Sequence, residues 1–418
     1  MTRTSFKVPR TSNYPRDAII VLPGLVPVPG TTLGAVAQRL AVALDNNAPS
    51  PATFRVADEH LTKLGSRELR VVTILRSDSA AEEPVPFADL IEFDYRSCLM
   101  GDLATSSPIR QAFAVGATLL FNARNLVAAL CRPSQRISQS LQVLYGAFMF
   151  SLVIMYFGVL AYTALGTIVE LAAKQTSAAA SLSAIVPPYL QTSIVVVTFA
   201  GLWSRLNLKA MLATIAPVLS CTMDYLAAGR RRSEILGELT RLIDHLDEQT
   251  DTPYGDVHFL GYSFGTIVAI DALFPRENTV GLKMKRIDTL ITVGCPFDFV
   301  RTYWPSYFKA RHAATGAPRR WLNVYCELDV FGSNFLDEER PSRTRLRGIE
   351  VTEQATRRPD DPDNLAFGPR AEEGGSFGEY LRFIGFRTHS AYWDRESDNA
   401  LSCFEPIVQK LYERQLAA

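Results

Sequence analysis

The sequence predicts an α/β protein, with a mostly parallel sheet that carries helices on both faces and an inserted two-helix transmembrane hairpin. Three observations predict this fold. Short β-rich apolar runs alternate with amphipathic helical stretches near the N-terminus, and the same alternation resumes in the last 190 or so residues. Between these two flanks lie two long stretches without a charged residue. The simplest arrangement joins the flanks into one sheet around the insertion.

The N-terminal flank contains three predicted strands and one predicted helix. Ala18–Gly24 is a short β-rich run that ends in a Pro-Gly break, which is typical of a buried strand. Gly34–Leu44 has the apolar spacing of a helix, and Leu69–Leu75 and Leu90–Ser97 are further strands. We therefore expect the hairpin to be inserted after the strand that ends near Tyr95.

The middle of the chain carries the predicted hairpin. Residues 137–169 and 175–204 contain no charged side chain, and about 20 apolar residues suffice to cross a bilayer. Buried core helices are the alternative, but soluble cores rarely need uncharged runs of this length. We therefore predict spans at about 140–169 and 184–204, joined by a short turn around Lys174–Ser183, and the lipid bilayer as a partner.

The distribution of positive charge predicts the orientation of the hairpin. Arg124, Arg132 and Arg136 precede it, Arg205 and Lys209 follow it, and the turn has only one lysine. Because positive residues favour the cytoplasmic side, both flanks are expected in the cytoplasm.

The limits of the insertion are less sharply marked. Two weaker apolar stretches, Ala112–Cys131 and Leu206–Leu226, border the hairpin, and each is open to three interpretations: an interfacial helix, a lid, or a further membrane span. The predicted organisation is 1–110 and 229–418 as the two parts of the α/β domain, with 111–228 as the membrane insertion.

The C-terminal flank continues the alternation. Ser233–Gln249 places its apolar residues on one helical face, and Ser233 is the expected N-cap. After it come, in order, a strand at 257–261, a helix at 266–274, strands at 289–294 and 321–328, and a last amphipathic helix at 401–416.

The segment Gly261–Gly265 reads G-x-S-x-G and lies between a predicted strand and a predicted helix. A sharp strand-to-helix turn needs small residues around its apex, and the apical side chain then projects above the sheet. Ser263 is therefore the predicted nucleophile, and the first N–H groups of the helix, beginning with Phe264, can bind an oxyanion. The alternative is a small residue in a crowded turn.

In this context the chain resembles an α/β-hydrolase of the lipase and esterase type, over residues 18–95 and from 233 to the end, but not in the hairpin. The resemblance implies a catalytic triad in the order Ser, Asp, His. It identifies Asp329, just past a later strand, as the acid and His389, the last histidine, as the base. Asp298 is the rival acid, and Glu327 is a minor candidate.

The resemblance also implies a second oxyanion donor in the loop after the first strand. Leu25 is that donor by position, with Gly24 adjacent. The sequence departs from the family here, since no histidine precedes Gly24. Backbone N–H groups supply the hydrogen bonds whatever the side chain, so the departure concerns the identity of the donor.

Composition excludes several other classes. Lysine plus arginine total 43 and aspartate plus glutamate total 43, so no nucleic-acid partner is expected. The six cysteines form no C-x-x-C pair, which argues against a zinc site or a disulfide scaffold. The acidic run at 360–364 lacks the glycine of a calcium loop. No cofactor or metal is therefore predicted, and the polar N-terminus predicts no signal peptide.

These features together predict a membrane-anchored serine hydrolase of lipid-like or other apolar carboxylic esters. Two alternatives stay open: an acyltransferase on the same scaffold, because an alcohol can resolve an acyl-enzyme as water does, and a non-catalytic membrane protein that keeps the fold for binding or signalling. The sequence does not predict an oligomeric state or the preferred acyl chain.

Overall fold

The computed structural model divides the chain into two compact units. The first comprises Met1–Arg96, Pro133–Gln142 and Gly229–Ala418, and the second comprises Ser97–Arg132 and Val143–Ala228. The structure describes residues 16–26, 28, 30–48, 51–64, 67–79, 83–100, 108–131, 142–144, 147, 150–151, 154, 158, 221–248, 254–275, 284, 286–309, 311–312, 318–335, 349–350, 362–368, 386–393 and 402–416.

The first unit is built on a nine-stranded sheet. Along the sheet the strands follow the order β11-β9-β7-β6-β1-β5-β4-β2, with β3 paired to β4, and β8 pairs with β10 in a separate two-stranded sheet. The strands are β1 (Asp17–Leu22), β2 (Thr53–Val56), β3 (His60–Leu64), β4 (Arg67–Ser77), β5 (Val85–Glu92), β6 (Val257–Tyr262), β7 (Ile287–Val293), β8 (Arg311–His312), β9 (Arg320–Tyr325), β10 (Ile349–Glu350) and β11 (Asp363–Ala366).

The sheet is parallel from β5 to β11 and antiparallel at its other side. β1 pairs in parallel with both β5 and β6, so strands from the two flanks of the chain lie side by side. β4 pairs antiparallel with β5, β2 and β3. The predicted α/β class with a mostly parallel sheet is confirmed.

Helices cover both faces of this sheet. In the described part of the first unit the helices are α1 (Leu33–Asn47), α4 (Arg230–Glu248), α5 (Phe264–Leu273), α6 (Phe297–Tyr303), α7 (Phe386–His389) and α8 (Phe404–Leu416). Two further helices, α2 (Arg96–Met100) and α3 (Pro108–Leu130), belong to the second unit except for Arg96. Alternate strand residues such as Ile19, Val21 and Leu260 share one buried cluster with side chains of α1 and α8. On the other face α5 contacts β1, β6 and β7, and α4 packs on α5.

Two local expectations are wrong. The strand predicted at Leu90–Ser97 begins earlier and ends at Glu92, and Arg96 already belongs to α2. Ser233 is not an N-cap, because α4 begins at Arg230 and the Ser233 hydroxyl donates to the Gly229 carbonyl at 3.3 Å inside the first turn. The three arginines Arg230–Arg232 therefore belong to the helix itself.

The second unit contains α3, which covers most of the apolar stretch predicted at Ala112–Cys131, and a single π-helical turn at Asp224–Ala228. Within the described ranges, no helix combines the length and the apolar character that crossing a bilayer requires. The predicted spans at 140–169 and 184–204 lie almost entirely outside the described residues, so the hairpin stays a prediction.

Candidate active site

Ser263 occupies the apex of the turn between β6 and α5. Its backbone has φ 53° and ψ −124°, a left-handed conformation that a residue with a Cβ adopts only when its surroundings enforce it. The Ser263 N–H donates to the Val293 carbonyl at 2.9 Å, at the end of the neighbouring strand β7. The strained apex is thus tied to the carboxyl edge of the parallel strands, where open α/β sheets bind ligands.

Both glycines of the motif are required by close backbone contacts. A Cβ on Gly265 would lie 2.1 Å from the Leu22 carbonyl oxygen, and one on Gly261 would lie 2.8 Å from the Thr266 Cα. Neither contact leaves room for a side chain, because the nearest atoms are backbone. The spacing of the motif therefore follows from how closely α5 approaches β6 and the end of β1.

Asp329 is completely buried just beyond β9. A buried carboxylate needs hydrogen-bond donors, and it has three. The Phe331 N–H donates to Oδ1 at 2.9 Å, the Tyr392 hydroxyl donates to Oδ2 at 2.8 Å, and the His389 Nδ1 lies 2.8 Å from Oδ2. This arrangement orients the carboxylate towards the imidazole of His389.

His389 is the last residue of α7 and is 7% exposed. Its imidazole stacks on the Tyr262 ring with centroids 5.4 Å apart, and its carbonyl accepts a hydrogen bond from the Tyr262 hydroxyl at 2.8 Å. The residue that precedes Ser263 therefore holds the histidine through both its ring and its backbone.

Gly294 links the histidine to the serine. It turns the chain directly after β7 with φ 59°, and a Cβ there would lie 3.0 Å from the His389 Cε1. The preceding residue, Val293, accepts the hydrogen bond from the Ser263 N–H. Ser263, Asp329 and His389, which lie far apart in the sequence, are thus gathered at one end of the central strands.

The rival acid occupies a different environment. Asp298 lies in the first turn of α6, where its Oδ1 is 3.7 Å from the Arg301 Nη2. The Asp298 N–H donates to the Ser333 hydroxyl oxygen at 2.7 Å. The carboxylate within hydrogen-bond distance of the His389 Nδ1 is that of Asp329. Glu327, the minor candidate, is exposed between β9 and Asp329.

The predicted oxyanion residues lie next to Ser263. Gly24 and Leu25 follow β1, and a Cβ on Gly24 would lie 3.2 Å from the Ser263 Cβ. Leu25 is 3% exposed, and Phe264 is the first residue of α5. The N-terminus of this helix and the loop after β1 therefore flank the serine from two sides, which is the placement that oxyanion donors need.

A row of aromatic rings begins at the imidazole. The Phe331 ring centroid lies 5.2 Å from that of His389 and 5.3 Å from that of Phe299, which in turn contacts Tyr303 at 4.7 Å. Phe299 and Phe331 are partly exposed. The site therefore offers apolar surface beside its histidine.

Two tyrosines of the site were not predicted from the sequence. Tyr392 joins Asp329 to β9, since its hydroxyl donates to Oδ2 and accepts a hydrogen bond from the Cys326 N–H at 2.9 Å. Burial raises its pKa well above the ordinary value, which keeps the hydroxyl protonated as a donor. Tyr262 lies within the G-x-S-x-G motif, which leaves its second position unspecified.

A comparison with protein-family models found no match to this chain, and neither did searches among curated proteins and among solved structures.

Proposed function

We propose that this protein is a membrane-anchored serine hydrolase that cleaves apolar, lipid-like carboxylic esters through an acyl-enzyme. The observation that carries the proposal is the 2.8 Å contact between Asp329 Oδ2 and His389 Nδ1, at the same edge of the sheet as a serine with φ 53°. A serine at the apex of a strained turn and a histidine oriented by a buried carboxylate are the groups that serine nucleophilic catalysis uses.

The chemistry follows from the roles that these groups can take. His389 accepts the proton of the Ser263 hydroxyl through its free ring nitrogen, and Asp329 stabilises the imidazolium. The Ser263 oxygen attacks the ester carbonyl. The N–H groups of Phe264 and of the Gly24–Leu25 loop stabilise the oxyanion. His389 then protonates the leaving alcohol. In the second half of the reaction, His389 takes a proton from a water molecule as that water attacks the acyl carbonyl, and it returns the proton to the Ser263 oxygen as the carboxylic acid leaves.

Two features support an apolar substrate. Phe331 and Phe299 present partly exposed rings next to His389, and apolar surface of this kind gains free energy when an acyl chain covers it. The predicted hairpin and its flanking arginines support a site on the cytoplasmic side of a membrane, with access to lipids.

Fluorophosphonate labelling tests the assignment. Wild-type protein is expected to label at Ser263, and Ser263→Ala is expected to abolish labelling. His389→Ala and Asp329→Asn are expected to slow hydrolysis of a p-nitrophenyl acyl ester by about 10⁴-fold. Asp298→Asn is the matched control, because it removes a carboxylate near the site that does not contact the histidine, and its rate should stay within a few-fold of wild type.

Two outcomes would refute the proposal. Labelling that persists in Ser263→Ala would place the nucleophile elsewhere. Absence of both labelling and turnover across short and long acyl chains, with correctly folded protein in detergent, would favour the binding or signalling alternative.

A further inference from the structure

The turn after β5 lies against the loop that carries the proposed oxyanion donors. Tyr95 belongs to this turn, is fully buried, and donates its hydroxyl to the Pro23 carbonyl at 2.6 Å. The two residues lie 72 positions apart in the chain, so the contact depends on the parallel pairing of β5 with β1.

The Pro23 loop is in direct contact with the nucleophile turn. The Pro23 carbonyl oxygen lies 2.7 Å from the position that a Cβ on Gly265 would occupy. Gly24 approaches the Ser263 Cβ and the Tyr262 ring so closely that a side chain at this position would press against both. A shift in this loop therefore changes the surroundings of Ser263 directly.

The turn that carries Tyr95 is itself held at several points. The Phe93 N–H donates to the Val21 carbonyl at 2.9 Å. The Arg96 guanidinium donates to both carboxylate oxygens of Asp94, at 2.7 and 2.9 Å, and to Glu92 at 3.2 Å. Bidentate pairs of this kind restrict geometry as well as contribute energy. Tyr95 is thus presented from a turn with a defined conformation.

We propose that Tyr95 is a positioning residue for the oxyanion hole, and that its hydroxyl fixes the orientation of the Pro23–Gly24 peptide so that the N–H groups after it face the reacting carbonyl. This inference rests on the proposed hydrolase function and adds to it a residue that does not touch substrate.

The physical reason lies in the geometry of the peptide group. A trans peptide is planar, so holding the Pro23 carbonyl on one side directs the Gly24 N–H to the opposite side. Only the two torsions of Gly24 then separate this fixed plane from the Leu25 N–H. Glycine has unusually free torsions, so an unanchored loop would leave both N–H groups without a defined direction. Oxyanion stabilisation requires donors that are oriented before the reaction.

Tyr95→Phe tests the inference, because it removes the hydroxyl and keeps the buried ring. We expect kcat for an acyl ester to fall roughly tenfold, which is less than the 10²–10³-fold typical of losing an oxyanion donor itself. KM should stay within about twofold, because the substrate carbonyl gains its charge only in the transition state. Affinity for a trifluoromethyl ketone, which adds to Ser263 and places a negative oxygen in the hole, should fall by a factor similar to that of kcat.

Tyr254→Phe is the matched control. The Tyr254 hydroxyl donates to buried Asp89 at 2.8 Å, in the part of β5 that pairs with the amino end of β1. This variant also loses a buried tyrosine hydrogen bond, so its thermal stability should fall while kcat and ketone affinity stay at the wild-type values.

Arg96→Lys is a second test, since lysine cannot make the bidentate pair with Asp94. We expect a smaller loss of kcat than in Tyr95→Phe, with unchanged KM.

The outcomes separate the two proposals. If wild type labels at Ser263 and turns over, but Tyr95→Phe has wild-type kcat and ketone affinity, the positioning role is wrong and the hydrolase function stands. If Tyr254→Phe loses as much kcat as Tyr95→Phe, the effect reflects general destabilisation, and the positioning role is again wrong. If wild type neither labels nor turns over, the hydrolase function fails and the inference fails with it.

Discussion

At the scale of single residues, the glycines of the site show how little space the nucleophile turn leaves. A Cβ on Gly265 would meet three backbone atoms of Leu22 and Pro23 within 2.7 Å. These atoms belong to the strand end and loop that also carry the proposed oxyanion donors. The absence of a side chain at Gly265 therefore allows the nucleophile turn and the donor loop to approach one another.

Gly265→Ala is expected to destabilise the protein by about 3 kcal/mol, because the backbone of a central strand would have to move. Gly237→Ala is the matched control. Gly237 lies within α4, and an added Cβ would have nothing within 4 Å apart from its chain neighbours and the backbone of its own helix. The same substitution should therefore stabilise by about 0.5–1 kcal/mol through helix propensity. Urea unfolding of both variants measures the difference. Equal effects at the two sites would contradict the packing described for Gly265.

The triad candidates are predictable from the sequence, but the residues that hold them in place are not. Ser263 carries a local signal, since the motif and the flanking strand and helix are adjacent in the chain. Asp329 and His389 follow from the family resemblance, which implies an acid after a later strand and a histidine before the final helix. Tyr95, Tyr262 and Tyr392 carry no such signal, because each hydroxyl bonds a partner between 63 and 127 positions away. Such contacts depend on strand order, which local patterns do not encode.

At the scale of secondary-structure elements, α1 and the histidine segment are joined by one guanidinium. The Arg39 Nε donates to the Trp393 carbonyl at 2.6 Å, just beyond His389. Its Nη1 donates to the Ala35 carbonyl at 3.1 Å and to the Gly30 carbonyl at 3.3 Å. One side chain thus ties the helix, the loop before it and the turn after the histidine.

We expect Arg39→Met to lower stability by about 1.5–3 kcal/mol, the usual range for hydrogen bonds from a charged group. It should also lower kcat roughly tenfold, because small displacements of a catalytic group are costly. Arg231→Met is the control. Arg231 forms an ion pair with Glu234 in which both side chains are about half exposed, at 50% and 49%, so stability should change by less than about 0.5 kcal/mol. A similar kcat in the two variants would show that the tether does not position His389.

The elements themselves were predicted where one local pattern decides. Strands β1, β4, β6, β7 and β9 and the helices α1, α4, α5 and α8 all lie on predicted segments. The short strands β2, β3 and β11 were not predicted, because each has five residues or fewer and at most two large apolar side chains, too few for a recognisable strand pattern. The strand expected up to Ser97 extends past the observed end of β5 at Glu92, because Phe93 and Tyr95 continue the apolar pattern but are buried in the turn.

At the scale of the whole molecule, the sheet of the first unit tolerates a long interruption. Ala18 in β1 pairs with Val257 in β6, and β5 completes the pairing on the other side of β1 before the second unit begins at Ser97. Loop-closure entropy grows only with the logarithm of the loop length, so an insertion of this size adds little to the cost of pairing. The sheet therefore does not determine whether the insertion enters the membrane, and the composition of the insertion does.

The composition of the insertion predicts how the chain behaves on membrane extraction. The chain is expected to remain in the membrane pellet after alkaline carbonate extraction, because residues 137–169 carry no charge and are long enough to span. Placing arginines at Leu152 and Leu160 should cost about 2.5–3.5 kcal/mol each near the centre of a span and release the protein into the soluble or aggregated fraction. The same two arginines at Ser134 and Ser138, on the predicted cytoplasmic flank, should leave it in the pellet. If both pairs behave alike, or if the wild type is extracted by carbonate, the hairpin does not span the bilayer. The grouping of Ser263, Asp329 and His389 would be unaffected, because all three residues belong to the first unit.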